Sequence, residues 1–192
     1  MAAPADEPRA AFVAHCFLNQ NAKVAEFARC PGAVLPVVQA LRQHGWELAQ
    51  LPCPEMSHLG AGRWWQSREM YDTPGYRDHC RRLAGGVVTR AQRYLQEGDR
   101  LILVGIDGSP SSGIRLTNSK PAWGGRPEAA PLAGSTRVPG RGIWIQELAA
   151  AFEAVGLDLP RATGLMMESA DFVLETAMAE FEEFLREAQV PA

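Results

Sequence analysis

Short apolar runs alternate with segments of helical periodicity along most of the chain. Apolar runs of four to eight residues predict strands, and apolar residues spaced three or four apart predict helices. The predicted elements are a strand at 10–14, a helix at 33–44, a strand at 46–51, a helix from 74 to about 97, a strand at 100–106, a helix at 142–155, a strand at 162–167 and a helix at 170–187. The strand at 100–106 is the most continuously apolar, which is typical of a central parallel strand covered on both faces.

This alternation of strands and helices predicts an α/β fold. We expect a single domain over 10–190 with a doubly wound, mostly parallel sheet, that is, a Rossmann-like three-layer sandwich. Residues 1–9 lack such a pattern and are expected to form a flexible tail. Residues 114–141 are rich in Gly, Pro and Ser and show little periodicity, so we expect a long loop that is either a lid over the site or disordered.

Chemically useful side chains follow three of the predicted strands. The carboxyl ends of parallel strands line one edge of a sheet, and ligands bind at that edge. We therefore expect these side chains to meet in one crevice. They are Cys16, Asn19 and Asn21 after the first strand, Cys53 and Glu55 after the second, and Ser109, Ser111 and Ser112 after the third.

The composition favours a soluble protein with a small ligand. The 192 residues are 46% hydrophobic and 21% charged, and no uninterrupted apolar window suggests a membrane span. The net charge is −3 and no Lys/Arg block appears, so we expect no nucleic acid polymer as partner. Residues 1–8 lack the features of a secretory signal, and four cysteines in such a chain are more typical of thiols or metal ligands than of disulfides. A cytoplasmic location is therefore expected.

Several familiar catalytic patterns do not match. The spacing of Gly108 and Gly113 resembles a P-loop, but Ile114-Arg115 replaces the required Lys-Ser/Thr and Pro110 lacks a backbone N–H. The histidines show no His-Glu-x-x-His spacing, and no Cys-x-x-Cys pair exists for a zinc knuckle. A further segment contains Trp64 and Trp65 beside arginines, which form either the wall of a planar-ligand pocket or a hydrophobic patch that fixes the loop.

Four motifs together carry a family resemblance. They are His-Cys-Phe-Leu-Asn-Gln-Asn from His15, Gln-Leu-Pro-Cys-Pro-Glu from Gln50, the stretch that begins Tyr71-Asp72-Thr73-Pro74, and Gly-Ser-Pro-Ser-x-Gly from Gly108. Over residues from about 11 to 117 the chain resembles the bacterial and archaeal proteins related to 2-thiouracil desulfurase. The resemblance implies an enzyme in which three cysteines hold a four-iron four-sulfur (4Fe-4S) cluster. The remaining iron would bind the sulfur removed from a thiolated pyrimidine.

One position departs from this family pattern. The family reads Ser-Pro-Ser-Cys-Gly, whereas Ser112 occupies the cysteine position here. The metal ligands implied by the resemblance are therefore Cys16 and Cys53, with Ser112 in the third place. A serine hydroxyl is a harder ligand than a thiol, and cluster iron prefers thiolate. Cys80 is an alternative third ligand, but its place on the apolar stripe of a helix favours a core role.

The resemblance and the residue types suggest roles for the other candidates. Glu55 would activate water or carry a proton, unless it caps the following turn. Ser109 and Ser111 would hydrogen-bond the ring of the substrate, and the amides of Asn19 and Asn21 would bind a pyrimidine edge. The alternative for all four is turn chemistry, in which Ser and Asn bond their own backbone.

Two functions remain open from the sequence. The first is iron–sulfur-dependent desulfuration of a small thiolated nucleobase such as thiouracil, with release of sulfide. The second is a non-catalytic or cluster-less protein that binds a nucleobase-like small molecule on the same fold. A native serine at position 112 favours the second function, and a serine introduced there by engineering favours the first.

Overall fold

Six strands and seven helices are present in the computed structural model, which describes residues 8–124, 134–167 and 174–189. Two 3-10 turns, Gln20–Ala22 and Ala25–Phe27, follow the first helix. The elements are β1 (Arg9–Val13), α1 (His15–Leu18), α2 (Leu35–Gln43), β2 (Glu47–Gln50), α3 (Pro54–Leu59), α4 (Arg68–Tyr71), α5 (Pro74–Gln96), β3 (Arg100–Asp107), β4 (Leu116–Ser119), β5 (Thr136–Pro139), α6 (Ile143–Glu153), β6 (Arg161–Met166) and α7 (Leu174–Ala188).

Four parallel strands form the main sheet, in the order β2-β1-β3-β6. In its register, Ala11 of β1 lies between Leu48 of β2 and Ile102 of β3. The chain runs from β1 to β2 on one side and then places β3 on the other side of β1. Such a reversal is a topological switch point, and ligands of open α/β sheets bind outside the carboxyl ends of the strands there.

Helices cover both faces of this sheet and create two cores. In β1, Phe12 points to the core formed with α5 and α6, and Val13 points to the core formed with α2 and α7. This alternation is the two-residue period of a strand, and it requires both faces to be apolar. The mixed α/β fold with a mostly parallel sheet, predicted from the sequence, is confirmed.

The longest helix, α5, shows why the local sequence forms its element. Thr73 precedes it, and its hydroxyl accepts the N–H of Tyr76 at 3.3 Å. Pro74 occupies the first helical position, where its missing N–H has no consequence. The apolar stripe from Tyr76 to Tyr94 is buried against the sheet and α6. Most of the stability of such a helix comes from the packing of its apolar stripe.

Part of the segment 114–141 differs from the sequence prediction. Its two ends form an antiparallel ribbon, because β4 pairs with β5, with Thr117 opposite Val138. The expectation of a loop without regular structure is therefore wrong at these ends. Residues 125–133 lie outside the described residues, so the choice between a lid and disorder stays a prediction.

The remaining differences from the sequence prediction concern short elements and ends. Helices α1, α3 and α4 are four to six residues long and were not expected. The predicted tail falls mostly on residues 1–7, which lie outside the described residues, and Arg9 already belongs to β1. The predicted start of the last helix, at 170, also lies outside them. Among the helices that the structure describes, none is both long and apolar enough to cross a membrane.

Candidate functional site

A cavity of about 270 Å³ lies at the topological switch point, outside the carboxyl ends of β1 and β3. Both Cys16 and Cys53 line it, together with the turn after β3. Its volume lies just below that of typical ligand-binding cavities, which are about 300–1,000 Å³. A larger depression of about 600 Å³ lies between β6 and α7, but it contains neither cysteine.

Two thiols meet on one wall of this cavity. Cys16 follows β1 and lies in α1, and Cys53 follows β2 and immediately precedes α3. A side-chain hydrogen bond joins the two residues. The backbone N–H of Met56 also donates to Cys53 Sγ, at a distance of 3.4 Å. The expectation that the two cysteines face a common cavity is therefore confirmed.

The two thiols differ in acidity because their partners differ. The hydrogen bond from Cys16 lowers the pKa of Cys53 against the opposing effects of burial and of the Glu55 charge, and the Met56 N–H and the charge of Arg63 lower it further. The same hydrogen bond and burial raise the pKa of Cys16 well above its ordinary value. Cys53 is thus the better thiolate, and Cys16 remains a thiol that donates to it.

Glu55 lies in the first turn of α3, and two side chains donate hydrogen bonds to its carboxylate. The Ser111 hydroxyl donates to its Oε1, and Arg63 Nε donates to its Oε2 at 3.1 Å. The side chain of Arg63 is only 2% exposed, and its second amino group donates to the carbonyl of Ala22 at 2.9 Å. Because Ser111 and Arg63 bond this carboxylate from two different segments of the chain, its position relative to Cys53 is well defined.

The serines lie in a tight turn after β3. Ser109 Oγ accepts the backbone N–H of Ser111 at 3.3 Å and that of Ser112 at 2.9 Å. Gly142, at the start of α6, packs so closely that a Cβ there would lie 2.3 Å from the Ser111 carbonyl oxygen. Only glycine permits this approach, so helix α6 and the serine turn are fitted to each other.

Aromatic and polar side chains from distant segments complete the cavity. Trp65 lines it and packs edge to face on Phe27, with ring centroids 5.6 Å apart. Asn118 and Arg137 reach it from the β4–β5 ribbon. Trp64, the neighbour of Trp65 in the sequence, is 53% exposed and does not line the cavity. Of the two tryptophans considered from the sequence, Trp65 is therefore the wall residue.

The structure brings most of the predicted site residues together, although their roles stay predictions. Asn19 and Asn21 are the exception, because neither lines the cavity. Asn19 Oδ1 accepts the N–H of Asn21 at 3.1 Å, so it caps the 3-10 turn that follows. This is the turn chemistry left open above. The predicted residues that do line the cavity are Cys16, Cys53, Glu55, Ser109, Ser111 and Ser112.

Sequence reasoning missed some residues of the site. It noted Arg63 only as a neighbour of tryptophans, and the pairing with Glu55 eight residues earlier depends on how the chain turns after α3. Lys23, which lies just beyond the first motif, also lines the cavity. Its closeness to that motif is a signal that could have found it. Asn118 and Arg137 gave no such signal, because the ribbon was not expected.

The donor set does not fit a cluster held by three thiolates. Cys30 hydrogen-bonds the Ala33 carbonyl at 3.5 Å beside α2, and Cys80 is fully buried in the core of α5 and α6. Neither residue lines the cavity, so it offers two thiols and the Ser112 hydroxyl. Among the residues that the structure describes, no group of three or more His, Cys, Asp or Glu side chains could hold a metal ion.

Comparisons with known proteins give a family match and a similar protein. Residues 21–125 match the family described as "Putative 2-thiouracil desulfurase". The match begins after Cys16 and includes Cys53, Glu55 and the serine turn. An uncharacterized protein of Methanocaldococcus jannaschii is 38% identical over 106 residues, which cover 55% of this chain and 68% of that protein. No solved structure matches the chain.

Proposed function

The chain belongs to the family described as "Putative 2-thiouracil desulfurase", and on this premise we propose that it removes the sulfur of a small thiolated nucleobase and releases it as sulfide. The observation that carries the proposal is the meeting of Cys16, Cys53 and Glu55 in one small cavity. A departing sulfur needs a proton to leave as hydrosulfide, and a cysteine thiol is one of the side chains that can supply a proton. Hydrolysis requires a proton acceptor for water, which a carboxylate supplies.

The cavity suits a single planar ring. Its volume of about 270 Å³ leaves room for a pyrimidine ring. Trp65 offers an aromatic surface on one side. Ser109 and Asn118 provide donors and acceptors for the carbonyl and N–H groups of such a ring. These features support a thiolated nucleobase such as 2-thiouracil as the substrate.

Glu55 is the residue that we assign to the activation of water. The replacement of sulfur by oxygen needs a water molecule that loses a proton as it attacks the carbon. Glu55 is 13% exposed at its side chain and faces the cavity, so it can accept this proton. Its bonds from Ser111 and Arg63 keep the carboxylate in place during the transfer.

A cluster is not part of this proposal. The family resemblance implies one, yet two thiols and a hydroxyl do not supply its three thiolate ligands. The replacement of the third thiol also favours the second function, a protein that binds a nucleobase-like compound without catalysis. The experiment below separates the two functions.

The test measures binding and sulfide release on the same samples. The purified chain is mixed with 2-thiouracil, and sulfide and uracil are quantified together. Binding is followed by quenching of tryptophan fluorescence, and Trp65→Phe identifies the part of the signal that comes from the cavity. We expect both quenching and equal amounts of sulfide and uracil.

Variants of Glu55 test its role. Glu55→Gln should still bind but should release sulfide about 10²–10⁴-fold more slowly, the usual contribution of a general base. Glu97→Gln, at the exposed end of α5, is the matched control and should behave as the parent. Ser111→Ala keeps the Glu55–Arg63 pair intact and should cause a smaller loss. Binding without sulfide release by the parent overturns the catalytic proposal and leaves the binding function.

A further inference from the structure

Two histidines from different helices lie side by side outside the cavity. His58 is in the last turn of α3, His79 is in α5, and their ring centroids are 5.2 Å apart. We infer that His58 and His79 form a binding site for a divalent transition-metal ion such as Zn²⁺, with water in the remaining coordination positions. The inference does not depend on the proposed function, because neither histidine lines the cavity.

The separation of the two rings fits one shared ion. Zinc binds imidazole nitrogen at about 2.0–2.1 Å and holds its ligands at tetrahedral angles, so two imidazoles on one ion have ring centroids about 5 Å apart. The observed separation agrees with this value. The planes of the two rings are inclined by 41°, so the rings are not stacked on each other. Imidazole is a ligand that suits zinc, copper and nickel.

The hydrogen bonds of Ser57 determine which nitrogen of His79 can bind a metal. The Ser57 hydroxyl donates to the carbonyl of Cys53 at 2.9 Å and also lies 3.3 Å from the carbonyl of Pro54. The same hydroxyl lies 2.8 Å from His79 Nε2. A hydroxyl has only one proton to donate. Because the carbonyls take that proton, the hydroxyl accepts from Nε2–H, and the lone pair of the ring is on Nδ1.

This arrangement is the one that metal-binding histidines usually have. A metal-ligating histidine donates its second ring N–H to an oxygen acceptor, which fixes the tautomer and the orientation of the ring. Ser57 Oγ is that acceptor for His79. The ring of His58 packs edge to face on Tyr76, with centroids 5.4 Å apart. In the part of the chain that the structure describes, neither ring nitrogen of His58 has a hydrogen bond, so both are available to an ion.

An ion at this site would connect two helices. His58 is in the same short helix as Glu55, and His79 is in the longest helix, which packs against the sheet and α6. A ligand that binds only the folded chain stabilises it. Zinc bound between the two helices would therefore hold the end of α3 against α5.

The test uses the untagged chain and immobilised zinc. A Zn²⁺ chelate on a resin contacts the protein surface, so the thiols in the cavity do not contribute to retention. We expect the parent to be retained and to be eluted by imidazole. His58→Gln and His79→Gln should each weaken zinc binding by about 10²-fold, because a single imidazole replaces a chelating pair. His44→Gln is the matched control and should bind as the parent does, since both ring nitrogens of His44 already have partners, Glu182 and Gln189.

NMR signals of the histidine rings provide a second measurement. Zn²⁺ added to the free chain should shift the signals of His58 and His79 at the same zinc concentration and leave those of His44 in place. Ser57→Ala should weaken zinc binding by about 10-fold, the usual cost of losing an outer hydrogen bond to a metal-binding histidine. A parent chain that passes the column without retention overturns the inference. Retention, or a zinc-dependent shift of His79, that is unchanged in His58→Gln overturns it as well.

Discussion

The carboxylate of Asp107 fixes the turn that carries the three serines. Its side chain is 1% exposed. Oδ1 accepts the backbone N–H groups of Ile114, Arg115 and Leu116 at 3.1, 2.8 and 3.3 Å. Oδ2 accepts Arg115 Nε at 2.7 Å. Asp107 does not line the cavity, but among the hydrogen bonds of the described residues no other side chain accepts so many backbone N–H groups.

The substitution Asp107→Asn should destabilise the fold by about 3 kcal/mol. The amide oxygen can keep the three backbone donors, but each bond changes from charge-assisted to neutral and weakens by about 1 kcal/mol. The ion pair with Arg115 adds at most about 1 kcal/mol, because the arginine side chain is 55% exposed. Sulfide release should fall as well, since the serine turn loses its anchor.

Urea unfolding measures this loss directly. The midpoint should fall while the slope stays unchanged, because the surface exposed on unfolding is the same. Asp158→Asn is the matched control, as Asp158 is exposed and should shift stability by no more than about 0.5 kcal/mol. An Asp107→Asn chain within about 0.5 kcal/mol of the parent refutes the idea that this carboxylate fixes the turn.

Three further predictions concern charge, packing and the third ligand. Burial opposes the ionisation of Glu69, but bonds from the Ser119 hydroxyl and a backbone N–H lower its pKa to about 2. The contribution of the ionised Glu69 to stability should be complete above about pH 4.3 and disappear as the pH falls toward 2. The urea midpoint of Glu69→Gln should lack this pH dependence. Gly142→Ala should destabilise because its Cβ meets a carbonyl oxygen at 2.3 Å, whereas Gly86→Ala, with nothing within 4 Å, should stabilise α5 by about 0.5–1 kcal/mol in thermal unfolding. Ser112→Cys should gain the broad visible absorption of an iron–sulfur cluster after anaerobic reconstitution, and equal iron in the parent would contradict the fit argument.

The main sheet could be predicted because its signals are local. The strand at 100–106 reads as a buried apolar run, and α5 shows a cap, a proline and a continuous stripe. Parallel topology then places everything that follows these strands at one edge. For this reason Cys16 and Cys53, far apart in sequence, were expected in one crevice, and the structure confirms it.

The ribbon and the partners of Glu55 could not be predicted because each pairing depends on how the chain folds back between the two residues. β4 and β5 are four residues each, and their pairing joins segments about twenty residues apart. Arg63 reaches Glu55 only after the chain has turned back beneath Ala22. Asn19 is the opposite case. The motif suggested that its amide binds the ligand, but the side chain forms a local hydrogen bond within its own turn instead.

The most direct test of the central claim follows the oxygen atom. The parent chain is given 2-thiouracil in isotope-labelled water with an iron chelator present, and the product base and sulfide are quantified by mass spectrometry and sulfide assay. The reaction at this cavity predicts uracil with one labelled oxygen and an equal amount of sulfide, both lost in Cys53→Ser. Unchanged 2-thiouracil, or uracil formed equally well by Cys53→Ser, would contradict the account.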